Sequence, residues 1–444
     1  MSIRSSALID VARSNRSGRQ ALLHAHGGRG LVSGGVGTRA EAGVSLPVLD
    51  AMAHALSPYV DLEGCFLVAS VHLLHDTDAV LRKLEGWGLD PRRAIVFGKP
   101  YSTNLRVVAG LLERGYTVHS SSYSMDERLP LGPALEAAAL ESLTATVERW
   151  AEEGGGRKIL LADDGGKLIR IAHDHFRELA GVFSSVEHTS RGIFELERTD
   201  LCMPVVNVAR SWAKLNVEST YIGESVDAQL ERRVGRLDPN ATALVVGYGA
   251  IGKAVAACLG RRGMEVLVHD PALQDSAAEP YDRLLARADL VLGCSGRTTL
   301  DEVHWPYLKS GAVLVSCSSL DLEFAAWKIR AAPRAAELVV VRDELDLEFG
   351  SLGGRQMFLG DPDDPSHYWY CARLAGRVVN LLNGGCPINF TGAAVSMPHT
   401  RSDLTVSLLL SGIAQASNEQ RIGLVPLGDA AQELLVGMHL RAVG

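Results

Sequence analysis

The sequence predicts an α/β protein built on two doubly wound parallel sheets. Short apolar runs alternate with helical patterns along much of the 444-residue chain, and strands that alternate with helices pair in parallel. Polar residues follow several of these apolar runs, where the strands of a parallel sheet present ligand-binding side chains. A glycine-rich turn, with an apolar run before it and a helical pattern after it, opens the second half.

The first half is predicted to begin with an amphipathic helix over residues 7–24 and a glycine-rich loop over residues 27–37. The alternating pattern starts at Gly64, and a helical stretch ends at Trp87. The other predicted helices are 107–114 and 140–153, and the predicted strands are 65–71, 94–97, 116–119, 158–162 and 182–186.

The second half follows a connecting helix predicted over residues 221–233. A segment rich in Asp, Gly and Pro, 342–367, predicts a hairpin and a loop. An apolar run at 378–381 precedes a turn at 383–391, and 404–416 is predicted as the final helix. The predicted strands are 243–246, 266–268, 290–293, 312–316 and 338–341.

Composition excludes several classes of protein. Hydrophobic residues make up 47% of the chain and charged residues 22%, and the formal net charge of −8 with dispersed basic residues argues against a nucleic-acid surface. No apolar run approaches the ~20 residues that span a bilayer, and no secretory signal is evident. The seven cysteines occur singly, which favours reduced thiols over disulfides or a metal site. We therefore expect a cytoplasmic protein without membrane, nucleic-acid or metal partners.

The glycine-rich turn has the pattern of a dinucleotide site. It reads Gly247-Tyr248-Gly249-Ala250-Ile251-Gly252 between an apolar run and a helical pattern. Gly247 would allow the tight turn, Gly249 would let the backbone approach a pyrophosphate, and Gly252 would let the helix pack closely on the strand. We expect Ala250 and Ile251, in the first helical turn, to contact the cofactor as well. The alternative is a glycine-rich turn in an ordinary α/β domain.

An acid ends the next apolar run of this unit. Asp270 follows residues 266–268, where a carboxylate accepts hydrogen bonds from the hydroxyls of the adenosine ribose. A carboxylate at this point repels a 2′-phosphate. The sequence therefore predicts NAD rather than NADP as the cofactor.

Several segments, taken in colinear order, resemble the S-adenosylhomocysteine hydrolase family. The resemblance implies a split substrate domain, residues 1–218 and 379–444, and an inserted Rossmann NAD domain, residues 219–378. The matching segments are VASVHLLHDT (68–77), YSTN (101–104), LADDGG (161–166), EHTSRG (187–192), NVARSWAKLNVESTY (207–221), VVGYGAIGKA (245–254), the Asp270 position and RVVNLLNGGCPINF (377–390).

The resemblance also implies a reaction. In this family, bound NAD oxidises a sugar 3′-hydroxyl, which makes the C4′ hydrogen acidic. A base removes that hydrogen, and the substituent on C5′ leaves by β-elimination. Water then adds in the parent reaction, and the ketone is reduced again, so that the cofactor stays bound through each turnover.

Four residues match positions that carry this chemistry in the family. Lys214 stands at the lysine that assists deprotonation of the 3′-hydroxyl, and Glu218 stands where the family has an aspartate at the sugar. Asp164 matches an acid/base aspartate, and His72 matches a histidine that handles protons at C5′. The alternatives are a solvated lysine, a turn-forming aspartate and a structural histidine.

The match is weaker around the substrate. Leu74 and Asp76 stand where a threonine and a glutamate flank the adenine, and His188 replaces a glutamate that binds the ribose. Thr189 keeps a threonine, Ser319 replaces a histidine, and Asn389 lies in a changed loop, 385–390. The resemblance further implies cofactor contacts from Thr189, Ser190, Ser219, Ser295 and Asn380.

These departures predict a diverged relative that acts on an adenosine-like nucleoside. We expect elimination at C5′, with water or a thiol as the leaving group, in the tailoring of a nucleoside natural product. The alternatives are hydrolysis of S-adenosylhomocysteine, a catalytically inactive NAD-binding regulator, and a 2-hydroxy-acid dehydrogenase that uses Arg297 and His304. A homo-oligomer is expected, although the chain ends at Gly444 without the family's Lys/Tyr-bearing tail.

Overall fold

The computed structural model describes residues 45–126, 128–273, 279–333, 351–352, 355–356, 369–393 and 396–443. The predicted helix at 7–24, the loop at 27–37, the strand at 338–341 and most of the segment 342–367 lie outside the described residues.

The strands of the described chain are short, as expected for an α/β protein. In chain order they are β1 Phe66–Ser70, β2 Ala94–Phe97, β3 Thr117–Val118, β4 Ile159–Asp163, β5 Phe183–Glu187, β6 Pro204–Asn207, β7 Thr242–Val246, β8 Glu265–His269, β9 Leu290–Gly293, β10 Val313–Ser316, β11 Ser351–Leu352, β12 Arg355–Gln356, β13 Trp369–Leu374, β14 Arg377–Leu382 and β15 Gly423–Pro426.

Helices connect most of these strands. A π-helix, Lys214–Glu218, runs directly into the seventh α-helix. No helix in the described part of the chain is long and apolar enough to cross a membrane. The α-helices are α1 Pro47–Leu56, α2 His75–Gly86, α3 Leu105–Glu113, α4 Leu131–Glu152, α5 Lys167–His175, α6 Ser190–Leu196, α7 Ser219–Val234, α8 Ala250–Arg261, α9 Tyr281–Arg287, α10 Ala326–Ala331, α11 His399–Asn418 and α12 Asp429–Val443.

The first sheet has seven parallel strands in the order β15-β6-β5-β4-β1-β2-β3. The chain runs outward in one direction from β1 and in the other from β4, so the strand order reverses between these two strands. Ligands bind in the crevice that such a reversal opens beyond the carboxyl ends of the strands. His72 follows β1 and Asp164 follows β4 at this crevice.

The second sheet has six strands in the order β13-β14-β10-β9-β7-β8. Its strands are parallel except β13, which pairs antiparallel with β14. The order reverses between β7 and β9, and Gly247 directly follows β7. The strands β11 and β12 form a separate antiparallel pair, within the segment where the sequence predicts a hairpin.

Continuous apolar runs form the central strands because helices cover both faces of each sheet. All five residues of β1 are buried. Leu67 and Ala69 pack into one hydrophobic cluster, and Phe66 and Val68 pack into another on the opposite face. The period of two along a strand produces this division.

The predicted α/β fold class is confirmed, and several element predictions are wrong. The helix at 404–416 is not the final one, since β15 and α12 follow it, and the short strand β6 was not predicted. The helix predicted from residue 140 begins at Leu131. Gly132 and Pro133 are residues that usually interrupt a helix, so the sequence did not indicate a start before them. A proline in the first turn, however, costs no helical hydrogen bond.

A distant carboxylate caps the first helix. Asp403 on α11 is 1% exposed and accepts hydrogen bonds from the backbone N–H groups of Val48 and Leu49, each at 2.8 Å. The residue at the N-cap position, Leu46, provides no side-chain cap. Asp403 therefore satisfies two donors that the start of a helix leaves unpaired.

We predict that Asp403→Ala lowers the free energy of unfolding by about 2 kcal/mol, because it leaves buried N–H groups without a partner. Chemical denaturation measures the change. Asp50→Ala, which removes an exposed carboxylate paired with Lys83, is the matched control and should stay within about 0.5 kcal/mol of the parent chain. Equal effects of the two substitutions would contradict the capping role.

Candidate active site

A cavity of about 1210 Å³ lies between the carboxyl edges of the two sheets. It exceeds the ~300–1,000 Å³ of a pocket for one drug-sized ligand. Most of the predicted site residues line it. They are His72, Leu74, Asp76, Asp164, His188, Thr189, Ser190, Lys214, Glu218, Ser219, Gly247, Gly249, Ala250, Ile251, Asp270, Ser295, Ser319 and Asn389.

The glycine turn has a backbone shape that fits a dinucleotide. Gly247 has a φ of 93°, and a Cβ on it would lie 2.7 Å from the backbone of Ser295. A Cβ on Gly252 would lie 2.0 Å from the carbonyl oxygen of Gly247. A Cβ on Gly249 would meet no atom of the described chain within 4 Å and would fill the cavity instead. The turn thus leaves a cradle at the start of α8, where helical N–H groups favour an anion.

Asp270 is fixed against this turn. Its Oδ2 accepts a hydrogen bond from the backbone N–H of Tyr248 at 2.7 Å, and its Oδ1 accepts one from Ala272 at 2.9 Å. The preceding residue, His269, stacks on Tyr281 with ring centroids 4.3 Å apart. The end of β8 therefore presents a carboxylate and an aromatic surface to the same cavity, which suits an adenosine.

A carboxylate and an imidazole meet at the crevice of the first sheet. Asp164 Oδ2 lies 3.1 Å from His72 Nε2, and Ser102 Oγ lies 2.6 Å from His72 Nδ1. The second oxygen, Asp164 Oδ1, lies 2.6 Å from Lys99 Nζ. Phe390, from the loop after β14, stacks on the His72 ring with centroids 4.0 Å apart. Residues of both sheets thus meet at this imidazole.

The surroundings set the charge of this pair. Burial would raise the pKa of the Asp164 carboxyl, but the Lys99 ammonium offsets that effect and holds the pKa well below its usual range. Burial lowers the pKa of His72, and the Lys99 ammonium lowers it further. At neutral pH the site therefore holds an ionised carboxylate beside a neutral imidazole.

An ion pair between a lysine and a glutamate lies on the π-helix. Lys214 Nζ lies 2.6 Å from Glu218 Oε2 and 3.3 Å from His188 Nε2, and Thr405 donates a hydrogen bond to Glu218 Oε1 at 2.9 Å. Burial and the nearby Lys214 ammonium lower the pKa of His188 to about 4. His188 is thus neutral at neutral pH and accepts a hydrogen bond from Lys214. π-Helical turns of this kind are frequent at functional sites.

Glu187 holds the loops that carry these groups. It is 0% exposed and accepts hydrogen bonds from the backbone N–H groups of Gly165, Gly166 and Thr189. The Thr189 hydroxyl also donates to it at 2.6 Å. A Cβ on Gly192 would lie 2.3 Å from the Glu187 carboxyl carbon, so the helix that follows needs glycine there. Glu187 fixes the loop after β4 relative to the loop after β5.

Asn389 offers a buried amide to the cavity. Its side chain is 2% exposed, and neither Oδ1 nor Nδ2 has a hydrogen-bond partner among the described residues. Asn383 holds the loop, since its Nδ2 donates to the carbonyl oxygens of Pro387 at 2.7 Å and Phe390 at 2.9 Å. A buried amide without a partner is costly, which favours a ligand that both donates and accepts a hydrogen bond there.

Two of the predicted residues are paired with neighbours at the cavity wall, and two others do not line the cavity. Asp76 pairs with His399 at 2.9 Å, and Ser295 donates to Glu323 at 2.9 Å, both at the cavity wall. Asn380 does not line the cavity, because it lies within β14 and its amide donates to the carbonyl of Gly311 at the opposite end of β10. Gly252 lies behind the glycine turn, where it packs on Gly247.

Lys99 and Asn383 were not predicted as site residues. Each is a single polar residue just beyond a strand, with no pattern that distinguishes it from an ordinary loop residue. Their positions at strand ends were the available signal, since the carboxyl ends of parallel strands lie at the binding edge.

Comparison with known proteins agrees with this geometry. The family model described as D-isomer specific 2-hydroxyacid dehydrogenase, NAD binding domain, matches residues 207–318. The uncharacterized protein Rv0104 of Mycobacterium tuberculosis is 31% identical over 394 residues, which cover 84% of this chain and 70% of that protein. The chain belongs to the same family as Rv0104.

More distant relatives have named activities. An adenosylhomocysteinase of Aeropyrum pernix is 24% identical over 295 residues, 63% of this chain and 66% of that protein. An S-inosyl-L-homocysteine hydrolase of Methanopyrus kandleri is 24% identical over 415 residues, 90% of this chain and 88% of that protein. The present chain is thus distantly related to the adenosylhomocysteinases. The match to an NAD-binding domain confirms the prediction that its cofactor is NAD.

We predict that Gly249→Ala weakens NAD binding at least about tenfold, or 1.4 kcal/mol, without loss of stability. The φ of −70° at Gly249 suits alanine, and the added methyl group meets only the cavity. Calorimetric titration of NAD-free protein measures the affinity. Gly260→Ala, on the helix that Gly249 precedes and also without a neighbour within 4 Å, should bind NAD like the parent chain. Unchanged affinity in Gly249→Ala would contradict the assignment of the cradle.

Proposed function

We propose that this protein is an NAD-dependent enzyme that acts on an adenosine-like nucleoside by transient oxidation of its sugar and elimination of the C5′ substituent. One observation carries the proposal. The glycine turn, the Lys214–Glu218 pair and the Asp164–His72 pair line one cavity. A cofactor site alone would suit net hydride transfer, whereas two additional proton-handling pairs suit a reaction with several proton transfers.

The Lys214–Glu218 pair is assigned to the sugar hydroxyl. NAD held by the glycine turn and Asp270 would supply a hydride acceptor for the sugar carbon and a hydride donor at the end of the turnover. The chain's own contribution is to take up the hydroxyl proton, which the Lys214 ammonium can do only by passing one of its own protons to Glu218 or to the neutral His188. Glu218 is buried and fixed by Thr405, so it orients Lys214 toward the cavity. The neutral His188 accepts a hydrogen bond from the same ammonium.

The Asp164–His72 pair is assigned to C5′. It lies at the crevice of the first sheet, and Phe390 fixes the plane of the imidazole by stacking. After oxidation, the C4′ proton passes to a base of the cavity. The electron pair of the C4′–H bond then forms a double bond to C5′, and the C5′ substituent leaves with a proton. A pair of groups that share one hydrogen bond can take up and return that proton.

Three further lining residues, Leu74, Asp76 and Asn389, are assigned to the nucleobase. Leu74 offers an apolar surface and Asp76 an acceptor held by His399. Asn389 offers both a donor and an acceptor. We further propose that the leaving group is water, which makes the enzyme a nucleoside dehydratase or lyase in nucleoside tailoring. The support is Ser319, which lines the cavity where the family that this chain resembles has a histidine.

We also propose the domain division predicted from the sequence, with one adjustment. Residues 1–218 with the C-terminal segment would form the substrate domain, and the NAD domain would begin at Ser219, where α7 starts. The predicted return at residue 379 falls within β14, which pairs with β10 up to Leu381. We therefore place the return at the end of this strand, Leu382.

A second candidate is hydrolysis of an S-nucleosyl-homocysteine. It is favoured by the relatives named adenosylhomocysteinase and S-inosyl-L-homocysteine hydrolase, the latter aligned over 90% of this chain. In this reaction the leaving group is a thiol and water adds after elimination. The two candidates share every residue assignment made above and differ only at C5′.

We predict that NAD-loaded protein converts at least one member of a panel of nucleosides and S-adenosylhomocysteine. Mass spectrometry of the products identifies the leaving group, since loss of water indicates dehydration and release of homocysteine indicates hydrolysis. Lys214→Met should slow the reaction by about 10²-fold or more. Lys309→Met, which removes an exposed lysine paired with Asp289, is the control and should leave the rate unchanged.

Two results would contradict the proposal. If NAD-loaded protein leaves the entire panel unchanged, the enzymatic role fails and an inactive NAD-binding regulator is favoured. If product forms equally fast in Lys214→Met, the assignment of the sugar pair is wrong.

A further inference from the structure

A buried lysine contacts the Asp164–His72 pair. Lys99 follows β2 and is 2% exposed, with its Nζ 2.6 Å from Asp164 Oδ1. The other oxygen of the carboxylate faces His72 Nε2 at 3.1 Å. Lys99 is not among the residues that line the large cavity within the described chain. It can therefore influence a ligand in that cavity through the Asp164–His72 pair rather than by direct contact.

We propose that Lys99 is a positioning residue that keeps this pair as a carboxylate beside a neutral imidazole. The proposal deepens the proposed function and rests on it for the catalytic use of the pair. The ion pair itself is independent of the substrate, because both partners are buried at the carboxyl edge of the first sheet.

The hydrogen bonds define one tautomer of the imidazole. Asp164 Oδ2 can only accept while the carboxylate is ionised, so Nε2 of His72 carries the hydrogen. The Ser102 hydroxyl then donates to Nδ1 at 2.6 Å. Ser102 is 0% exposed and does not line the cavity, so within the described chain it serves to orient the ring rather than to attack a ligand.

The charged groups around His72 come from several elements. The Asp164 carboxylate, after β4, favours the imidazolium, whereas the Lys99 and Lys214 ammonium groups oppose it. His188, after β5, is neutral, and Phe390 and Tyr101 present rings to the imidazole. The two cations thus act against the Asp164 carboxylate, and removal of Lys99 would leave only Lys214, which is itself paired with Glu218, to oppose protonation of His72.

This charge state decides the order of proton transfers. A carboxylate beside a neutral imidazole holds no proton beyond the Nε2 hydrogen that bonds Asp164, so the pair acts first as a base. Nδ1 of His72 faces Ser102, so the acceptor is the Asp164 carboxylate, which lines the cavity. It takes the C4′ proton, the electron pair of that C–H bond forms the C4′–C5′ double bond, and the C5′ substituent leaves with the proton that the pair has gained. Atoms and charge balance without a further reactant.

The test is a pH titration of the full-length protein with ¹⁵N-labelled histidine, followed by NMR, with His72→Gln to assign the signal. In the parent chain, His72 should titrate below the ordinary range of a histidine, and its neutral form should carry the hydrogen on Nε2. Lys99→Met should raise the pKa of His72 by at least about 1. Lys99→Arg should restore the parent value, and Lys83→Met, which removes a partly exposed lysine paired with Asp50, should not change it.

Two results would overturn the proposal. One is a parent chain in which His72 titrates within or above the ordinary range of a histidine, or carries its hydrogen on Nδ1. That measurement does not depend on whether a variant folds. The other is a folded Lys99→Met protein with an unchanged pKa of His72. A chain that converts no nucleoside but titrates as expected would contradict the proposed function and leave the role of Lys99 standing.

Discussion

Parallel strand pairing places the groups assigned to cofactor and substrate at one cavity. The carboxyl ends of parallel strands lie at the same edge of a sheet, and in each sheet the strand order reverses next to its first strand. One sheet presents proton-handling side chains at that edge, and the other presents a glycine turn. Phe390 joins the two, because it follows the second sheet and stacks on the imidazole of the first.

Charge neutralisation is the second constraint on the site. Asp164 and Glu218 are both buried, and each faces a lysine within 2.6 Å. A buried carboxylate without such a partner would be protonated or would destabilise the fold. The histidines next to these ion pairs are neutral at neutral pH, as the lowered pKa values of His72 and His188 indicate. The cavity thus holds two separated proton acceptors, which suits a reaction with proton transfers at two positions of the sugar.

The sequence was sufficient for the α/β fold and for the glycine turn, because apolar runs and the Gly247–Gly252 spacing are strong local signals. It was insufficient for β15, whose four residues lie at a sheet edge and are only partly buried. Asn380 was predicted at the cofactor from resemblance alone, and its place inside β14 directs the amide elsewhere. Lys99 was missed because its ion pair joins two strand ends 65 residues apart, and no local pattern records such a pairing.

The most direct measurement of the central claim is hydrogen exchange at C4′ of the nucleoside. NAD-loaded protein is incubated in D₂O with a panel of nucleosides, and deuterium at C4′ is read by NMR and mass spectrometry. Transient oxidation followed by proton abstraction predicts deuterium at C4′ of at least one nucleoside, whichever group leaves C5′, and predicts its loss in Lys214→Met. Absence of exchange across the panel, in protein shown to hold NAD, would contradict the claim.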